Sequence, residues 1–500
     1  MPEKLDLLKE RLQKLADLNY AQSVLGWDQQ VNMPAGGAED RGDILATLGV
    51  LTHELFITDE NARLLDDLQS NSASLNPESD DARLIKVTRR IFGKETRVPP
   101  RFIAAFTRAT VLGQTAWEEA RAKSDFSIFQ PHLERIVELR REYASFFAPY
   151  DHIYDPLLDD FEPGLKTADV LSIFGVLRRE QVALLREIAS RPAPRDEFLR
   201  DEYPEKAQWD FGVDVITRFG YDWNRGRQDK SVHPFTQSLG YNDVRITTRV
   251  NPHRMATALF GTMHECGHAL YEQGLNPAYR RLPLGSAASL AVHESQSRMW
   301  ENLVGRSKPF WTFFYPRLQQ AFPSQLGNIS LDEFYAGVNK VSPSLIRVEA
   351  DEATYNLHIM LRLELEIALL EGSLAVKDLP GEWDTRFKEY LGVIPPNAAS
   401  GFLQDVHWAG GMLGYFPTYA LGNLVSAQLW EVIQRDIPDL ENQISLGQFA
   451  DLLSWLRRNV HVHGAKYEPQ ELVQKVTGSK IDPQPYLHYL RNKYGELYKL

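Results

Sequence analysis

The sequence predicts a mainly α-helical protein, residues 1–500 forming a single domain, one large helical body with a small β-sheet. Three observations carry this. Apolar residues recur at i, i+3 and i+4 along most of the chain, the spacing that gives a helix one buried face. Turn-forming residues come in short groups, none long enough to link two domains. Only residues 232–236 and 242–250 combine β-branched residues, alternation and turn punctuation.

The elements follow in chain order. Leu5, Leu8, Leu12 and Leu15 form a helical stripe with Lys and Glu opposite, and Met33-Pro34-Ala35-Gly36-Gly37 ends that segment. A loop is expected around residues 71–81. Helical stripes recur over 100–150 and 167–192, before Arg191-Pro192-Ala193-Pro194. The β-patterned stretch comes next. Asn251 is then the expected N-cap and Pro252 the first residue of a helix that Gly274 closes and Pro277 stops. A second helix is expected over about 287–304, ending at Gly305. Residues 346–351 should open a further helix, followed by a stripe over 352–371. Asp378-Leu379-Pro380-Gly381 and Ile394-Pro395-Pro396-Asn397 read as loops, and residues 445–458 as a helix. No repeat of fixed period is present.

Apolar content of 43% and charged content of 24% describe an ordinary globular chain and exclude disorder. The formal charge is −12, with no Lys/Arg-rich stripe, so no nucleic-acid partner is expected. No run of about 18 apolar residues occurs, so no membrane span is expected. The single cysteine, Cys266, cannot form an intrachain disulfide and suits a reducing compartment. Met1-Pro2-Glu3-Lys4 leads into an amphipathic helix without an apolar leader, and a cytoplasmic location is expected.

The chemistry concentrates in His264-Glu265-Cys266-Gly267-His268. Residues i and i+4 share a helix face, so both imidazoles converge on one metal ion. Glu265 stands beside the metal without facing it as a ligand, the place of a general base. A hydrolytic zinc site needs a third protein ligand and an open position. Glu294, in Val292-His293-Glu294-Ser295-Gln296 on the second helix, is the candidate. Cys266 points away from the histidine face and reads as a packed side chain.

Other clusters are weaker alone. Arg347, in Ile346-Arg347-Val348-Glu349-Ala350-Asp351, is a residue type suited to holding a carboxylate, although most arginines lie on solvated faces. Residues 401–408 place Gln404, Asp405, His407 and Trp408 together, and Gly414-Tyr415-Phe416-Pro417-Thr418-Tyr419 suggests an irregular wall. A His or Tyr hydroxyl there, His407 or Tyr419, can stabilise an oxyanion on a scissile carbonyl. The strand pair before the metal helix offers backbone groups to an extended substrate, or simply covers the helices. His461 and His463 lack a nearby third ligand and read as structural.

Together these clusters resemble the M32 metallocarboxypeptidases, typified by the Taq carboxypeptidase. His233-Pro234-Phe235 is similar to the family's HPF. Asp243 to Thr247 is similar to DxRxT, and His264 to His268 to HExxH. His293 to Gln296 corresponds to HES/GQ, Ile346 to Asp351 to (I/V)RxxAD, and Gly401 to Trp408 to GxxQDxHW. All six stand in the family's order, and Trp27-Asp28 and His461-Val462-His463-Gly464 extend the resemblance to both ends.

The resemblance implies a saddle-shaped helical body with a deep central groove, similar to neurolysin and angiotensin-converting enzyme. It implies a homodimer, and a divalent metal, zinc or alternatively cobalt, on His264, His268 and Glu294. The implied substrates are peptides with a free C-terminus, which lose single C-terminal residues with broad specificity. Glu265 is then the general base, with His407 and Tyr419 beside the oxyanion. Arg347 binds the substrate carboxylate, and His233 and Arg245 shape the groove. Two alternatives stay open at this stage: an endopeptidase on the same fold, and a metal-stabilised peptide-binding protein without turnover. Glu265 argues against the second, because a purely structural metal site has no use for a base.

Overall fold

The structure, a computed structural model, describes residues 1–500. The N-terminal third is six helices: α1 (Pro2–Val31), α2 (Ala38–Phe56), α3 (Asp59–Asn71), α4 (Asp80–Arg97), α5 (Pro100–Lys123) and α6 (Phe126–Ser145). The Leu5, Leu8, Leu12 and Leu15 stripe of α1 is buried. It packs with Leu64, Leu65 and Leu68 of α3 and with Leu84, Ile85 and Phe92 of α4 into a small core of its own. Tyr279 and Leu284 join that core from the turn after the histidine helix, so the N-terminal layer braces the metal region from outside.

A short α7 (Asp155–Asp159), then α8 (Thr167–Ala189) and α9 (Glu205–Phe219), lead to the sheet. β1 (Gln228–Lys230) runs parallel to β3 (Asp243–Thr248), and β2 (Thr236–Gly240) runs antiparallel to it, in the order β1-β3-β2. β2 therefore keeps one unpaired edge. The β-patterned stretch was expected from residue 232, but β2 starts at Thr236. Pro234 has no N–H to give a ladder, so Val232 and His233 stay in the connecting loop.

The histidine helix, α10 (Met255–Gly274), starts later than expected. Asn251 does not cap it: its side-chain oxygen accepts from the His253 N–H at 2.9 Å and closes a local turn instead. The second helix is α11 (Leu290–Arg298), capped by Ser289, whose hydroxyl accepts from the Val292 N–H at 3.2 Å. It widens into a π-turn over Met299–Val304, a feature frequent at functional sites.

The rest comprises α12 (Lys308–Ala321), α13 (Pro323–Leu326), α14 (Leu331–Val338), α15 (Glu352–Glu371), α16 (Leu379–Leu391), α17 (Pro417–Asp436), α18 (Leu440–Ser445), α19 (Ala450–Asn459), α20 (Pro469–Thr477) and α21 (Gln484–Tyr498). The loop expected at 378–381 is the start of α16, where Pro380 sits in the first turn and costs no hydrogen bond. The helix expected over 445–458 is interrupted at Gly447, whose positive φ of 72° breaks the chain between α18 and α19. The large apolar core spans α5 to α21 and includes residues from both metal-region helices. No helix is long and apolar enough to cross a membrane.

Candidate active site

α10 and α11 meet at Gly267. A Cβ there would lie 2.6 Å from Ser297 Cα and 2.7 Å from the Gln296 carbonyl oxygen, so glycine alone permits this approach. The approach brings Glu294 to the histidines. Its Oε2 lies 3.6 Å from His264 Nε2 and 3.5 Å from His268 Nε2, and the three ligand atoms all fall within 4.8 Å of one another. Tetrahedral ligands about 2.1 Å from a zinc ion stand about 3.4 Å apart. The donor set, two imidazoles and one carboxylate, therefore fits a divalent cation of the zinc type.

Each ligand is held from behind. His264 Nδ1 and Glu301 Oε2 are 2.9 Å apart, which leaves Nε2 free for a metal. Glu301 sits in the π-turn, which gives that segment its place in the site. Arg298 Nε donates to Glu294 Oε1 at 2.7 Å, and Arg298 Nη1 to Glu301 at 3.3 Å. His268 stacks on His293 at 4.3 Å, and His293 Nε2 meets Glu272 at 3.0 Å.

The charges of His268 and Glu294 suit ligation. Burial, with His293 alongside, pushes His268 down to about 3, so its imidazole is neutral at ordinary pH. Burial opposes ionisation of Glu294, but Arg298 and His264 outweigh it and hold the carboxyl far below the usual range. For His264 burial is outweighed by Glu294 and Glu301, which raise it. Burial also raises the Glu265 carboxyl, against a smaller opposing effect from His264. Glu265 Oε2 accepts from the Thr236 hydroxyl at 2.7 Å, so the free-edged β2 touches it directly. Cys266 is fully buried and its thiol is pushed well up by burial, as befits a packed side chain.

Arg347 differs from its expectation in its backbone. It does not open a helix: it lies in a single 3₁₀ turn, Arg347–Glu349, ahead of Asp351, which caps α15. Its guanidinium is already paired. Its Nη2 and Nε donate to Asp405 at 2.8 and 3.2 Å, and its Nη1 donates to the Tyr355 hydroxyl at 2.9 Å. Arg362 Nη2 reaches the other Asp405 oxygen at 2.6 Å. Two buried guanidiniums thus share one carboxylate, and the cluster keeps one unit of positive charge. The Tyr355 ring also lies under Arg298, 4.2 Å from its centroid, so one aromatic ring separates this cluster from the residue that holds Glu294.

His407 Nε2 lies 3.2 Å from the Tyr419 hydroxyl, and the Tyr419 ring stacks on the Arg347 guanidinium at 4.8 Å. Burial, then the Arg347 charge, pushes His407 down to about 3, so it is neutral. Burial raises Tyr419 well above its ordinary value, which keeps its hydroxyl a proton donor. Tyr415 shares this wall, and burial followed by the Glu294 charge raises it.

The structure does not join His233 or Arg245 to these groups. His233 stands exposed in the loop from β1 to β2, and its ring makes no hydrogen bond; only its carbonyl accepts, from Ser231 at 2.6 Å. Arg245 is bound by Asp243 of its own strand at 2.8 and 2.7 Å and faces the Trp27 ring. His461 bonds Gln296 at 2.9 Å, His463 packs on Tyr467, and neither belongs to the metal group. The sequence reading missed Thr236, Arg298, Glu301, Tyr355 and Arg362, none of which lies in a spacing that marks it.

Residues 7–494 match the family described as carboxypeptidase Taq (M32) metallopeptidase. The chain is 42% identical over 486 residues to thermostable carboxypeptidase 1 of Thermus thermophilus, covering 95% of each chain. It is 37% identical over 496 residues to carboxypeptidase 1 of Bacillus subtilis, covering 99% of this chain and 98% of that one. The crystal structure of the M32 carboxypeptidase from Deinococcus radiodurans superposes with a TM-score of 0.97 at 42% identity, over the whole of both chains. The chain belongs to the M32 family of metallopeptidases and is a peptide hydrolase.

Proposed function

We propose that this enzyme removes single residues from the C-terminus of peptides, with broad specificity for the side chain released. The buried Arg347–Asp405–Arg362 cluster carries this reading. Its surplus positive charge lies one aromatic ring from Arg298, which holds Glu294 of the metal group. Arg347 still has an uncommitted N–H on each terminal nitrogen, a fork that suits a terminal carboxylate. An endopeptidase has no use for such a charge.

His264, His268 and Glu294 hold the metal, zinc or alternatively cobalt. When bound, the cation polarises the scissile carbonyl and lowers the pKa of the attacking water. Glu265 accepts the water's proton and returns it to the leaving amine, with Thr236 fixing its carboxylate. The neutral His407 and the protonated Tyr419 stand ready to donate to the developing oxyanion. The free edge of β2 pairs with the extended substrate backbone, and His233 and Arg245 shape the outer groove.

We also propose a cytoplasmic homodimer. Ile44, Leu51 and Leu55 leave α2 with an exposed apolar side that a second copy would cover. The deciding test is mass spectrometry of a free peptide and of its C-terminal amide, each incubated with metal-loaded enzyme. Stepwise loss of single residues from the free peptide, with the amide spared, is expected. Internal cleavage of both would overturn the exopeptidase assignment.

A further inference from the structure

The wall that carries His407 has no helix or strand of its own over residues 401–416. The His407 ring is held at one nitrogen only: Nε2 meets Tyr419, while Nδ1 is buried without a partner, 4.0 Å from Asp405 Oδ1. A donor histidine is ordinarily oriented by a hydrogen bond at its other nitrogen. His407 lacks that bond, so its place depends on the backbone that carries it. That backbone is tightly turned. The His407 carbonyl accepts from the Met412 N–H at 2.8 Å, and the Trp408 carbonyl from the Gly411 N–H at 3.0 Å.

One side chain pins this turn at both ends. Glu366, on α15, is fully buried. Its Oε1 accepts from the Trp408 indole N–H at 2.8 Å, and its Oε2 from the Gly414 N–H at 3.0 Å. The Tyr154 hydroxyl, at the start of α7, donates to Oε2 at 2.6 Å and completes the set. Arg140 acts on Glu366 only through its charge; its own bond goes to the Leu413 carbonyl at 3.2 Å. Burying a carboxylate against neutral donors alone is costly, and burial pushes this one up to about 7. An amide could not replace it. All three partners are donors, two of them fixed N–H groups, and glutamine has one oxygen and one NH2. Whichever way the amide lies, its NH2 faces the indole N–H or the Gly414 N–H. Gly414 cannot shift to suit: its φ is 100°, and a Cβ there would lie 2.5 Å from the Leu157 carbonyl oxygen.

We propose that Glu366 is a positioning residue for the peptidase reaction, which sets the place of His407 by pinning Trp408 and Gly414. The inference rests on the proposed role of His407 as a donor to the oxyanion.

The test is steady-state cleavage of a free-carboxylate peptide by the zinc-loaded enzyme, with single and double variants compared. Glu366→Gln should lower kcat by about 10–100-fold, the order for a reacting group about 1 Å out of place. KM and zinc affinity should be unchanged, because Arg347 keeps its bonds to Asp405 and Tyr355. Trp408→Phe breaks the Oε1 bond without altering Glu366, and should lower kcat in the same sense with KM kept. Tyr154→Phe removes one bond to the same carboxylate but leaves both loop bonds, so its kcat should stay near the wild-type value. His407→Ala should lose about 10²–10³ in kcat, and adding Glu366→Gln to it should lower kcat little further, because the two act as a unit. Normal kcat in both Glu366→Gln and Trp408→Phe, beside a defective His407→Ala, would overturn this inference and leave the role of His407 standing. Fully additive losses in the double variant would also overturn it. So would a Tyr154→Phe loss as large as that of Glu366→Gln, since destabilisation alone would then explain both. A near-normal His407→Ala would remove the donor role and this inference with it.

Discussion

Gly422 predicts a metal-binding defect from one methyl group. It lies in α17, whose backbone runs past the Glu294 side chain. A Cβ at 422 would stand 2.6 Å from Glu294 Cγ, 2.7 Å from its Cβ and 3.2 Å from the Ala291 carbonyl oxygen. Ordinary contact begins near 3.4 Å, so Gly422→Ala must push Glu294 back by about 1 Å, while metal–ligand distances tolerate only about 0.2 Å. The carboxylate cannot swing freely, because Arg298 holds Oε1 at 2.7 Å and Ser297 donates to Oε2 at 3.2 Å. Overpacking of this kind costs about 1–3 kcal/mol, and disturbed ligand support typically lowers metal affinity about 10–100-fold. Zinc affinity, read by competition with a chromogenic chelator, should fall by that factor. The control is Gly175→Ala, a helical glycine of α8 with nothing within 4 Å, which should leave affinity unchanged and stabilise the fold by about 0.5–1 kcal/mol. Wild-type zinc affinity in Gly422→Ala would refute the ligand role of Glu294 or its confinement by α17.

Four further outcomes are expected. Glu265→Gln should bind zinc normally and lose turnover by about 10²–10⁴, read by metal analysis beside peptide cleavage; near-normal turnover would remove the base role. Arg347→Ala should reduce cleavage of free-carboxylate peptides far more than any residual action on amides, and equal losses would dismiss carboxylate recognition. Stripping the metal should lower the melting temperature, since a ligand at 100 times its Kd stabilises by about 2.7 kcal/mol; calorimetry with and without zinc reads it, and no shift would argue against the site. Glu162, fully buried with its Oε1 accepting from the Ala291 N–H at the start of α11, is pushed up by burial from 4.5 to about 8. The folded protein then holds a proton that the unfolded chain releases near pH 4.5, so stability falls as pH rises from about 4.5 to 8. Glu162→Gln should flatten that fall in urea unfolding at pH 5, 6.5 and 8, and an identical slope would reject it.

The legible part of the site is the part set by short covalent spacing. His264 and His268 are one turn apart whatever the rest of the chain does, and Glu265 follows with them. Glu294 was readable because a second helix follows a connection rich in Pro and Gly. The supports were not readable in the same way. Glu301 reaches His264 only because α11 widens into a π-turn, and nothing in Met299-Trp300-Glu301-Asn302 announces one. Gly267 and Gly422 look like ordinary helical glycines until the neighbouring helix is in place. The late start of α10 has a local cause: the Asn251 side chain satisfied a nearer backbone N–H and so was lost as a cap.

Arg347 shows why such supports matter for a peptidase. A lone guanidinium in a buried wall carries a desolvation cost of several kcal/mol. Asp405 meets it, but one carboxylate also serves Arg362, so neutralisation stops one charge short. The Asp405 and Tyr355 bonds fix the guanidinium plane before any ligand arrives. Ordering of a flexible side chain, about 0.5–1.5 kcal/mol at binding, is thereby moved into folding. On the proposed role of Arg347, Asp405 favours capture of a substrate carboxylate rather than competing with it, because it removes the motion of Arg347 without removing the charge of the cluster.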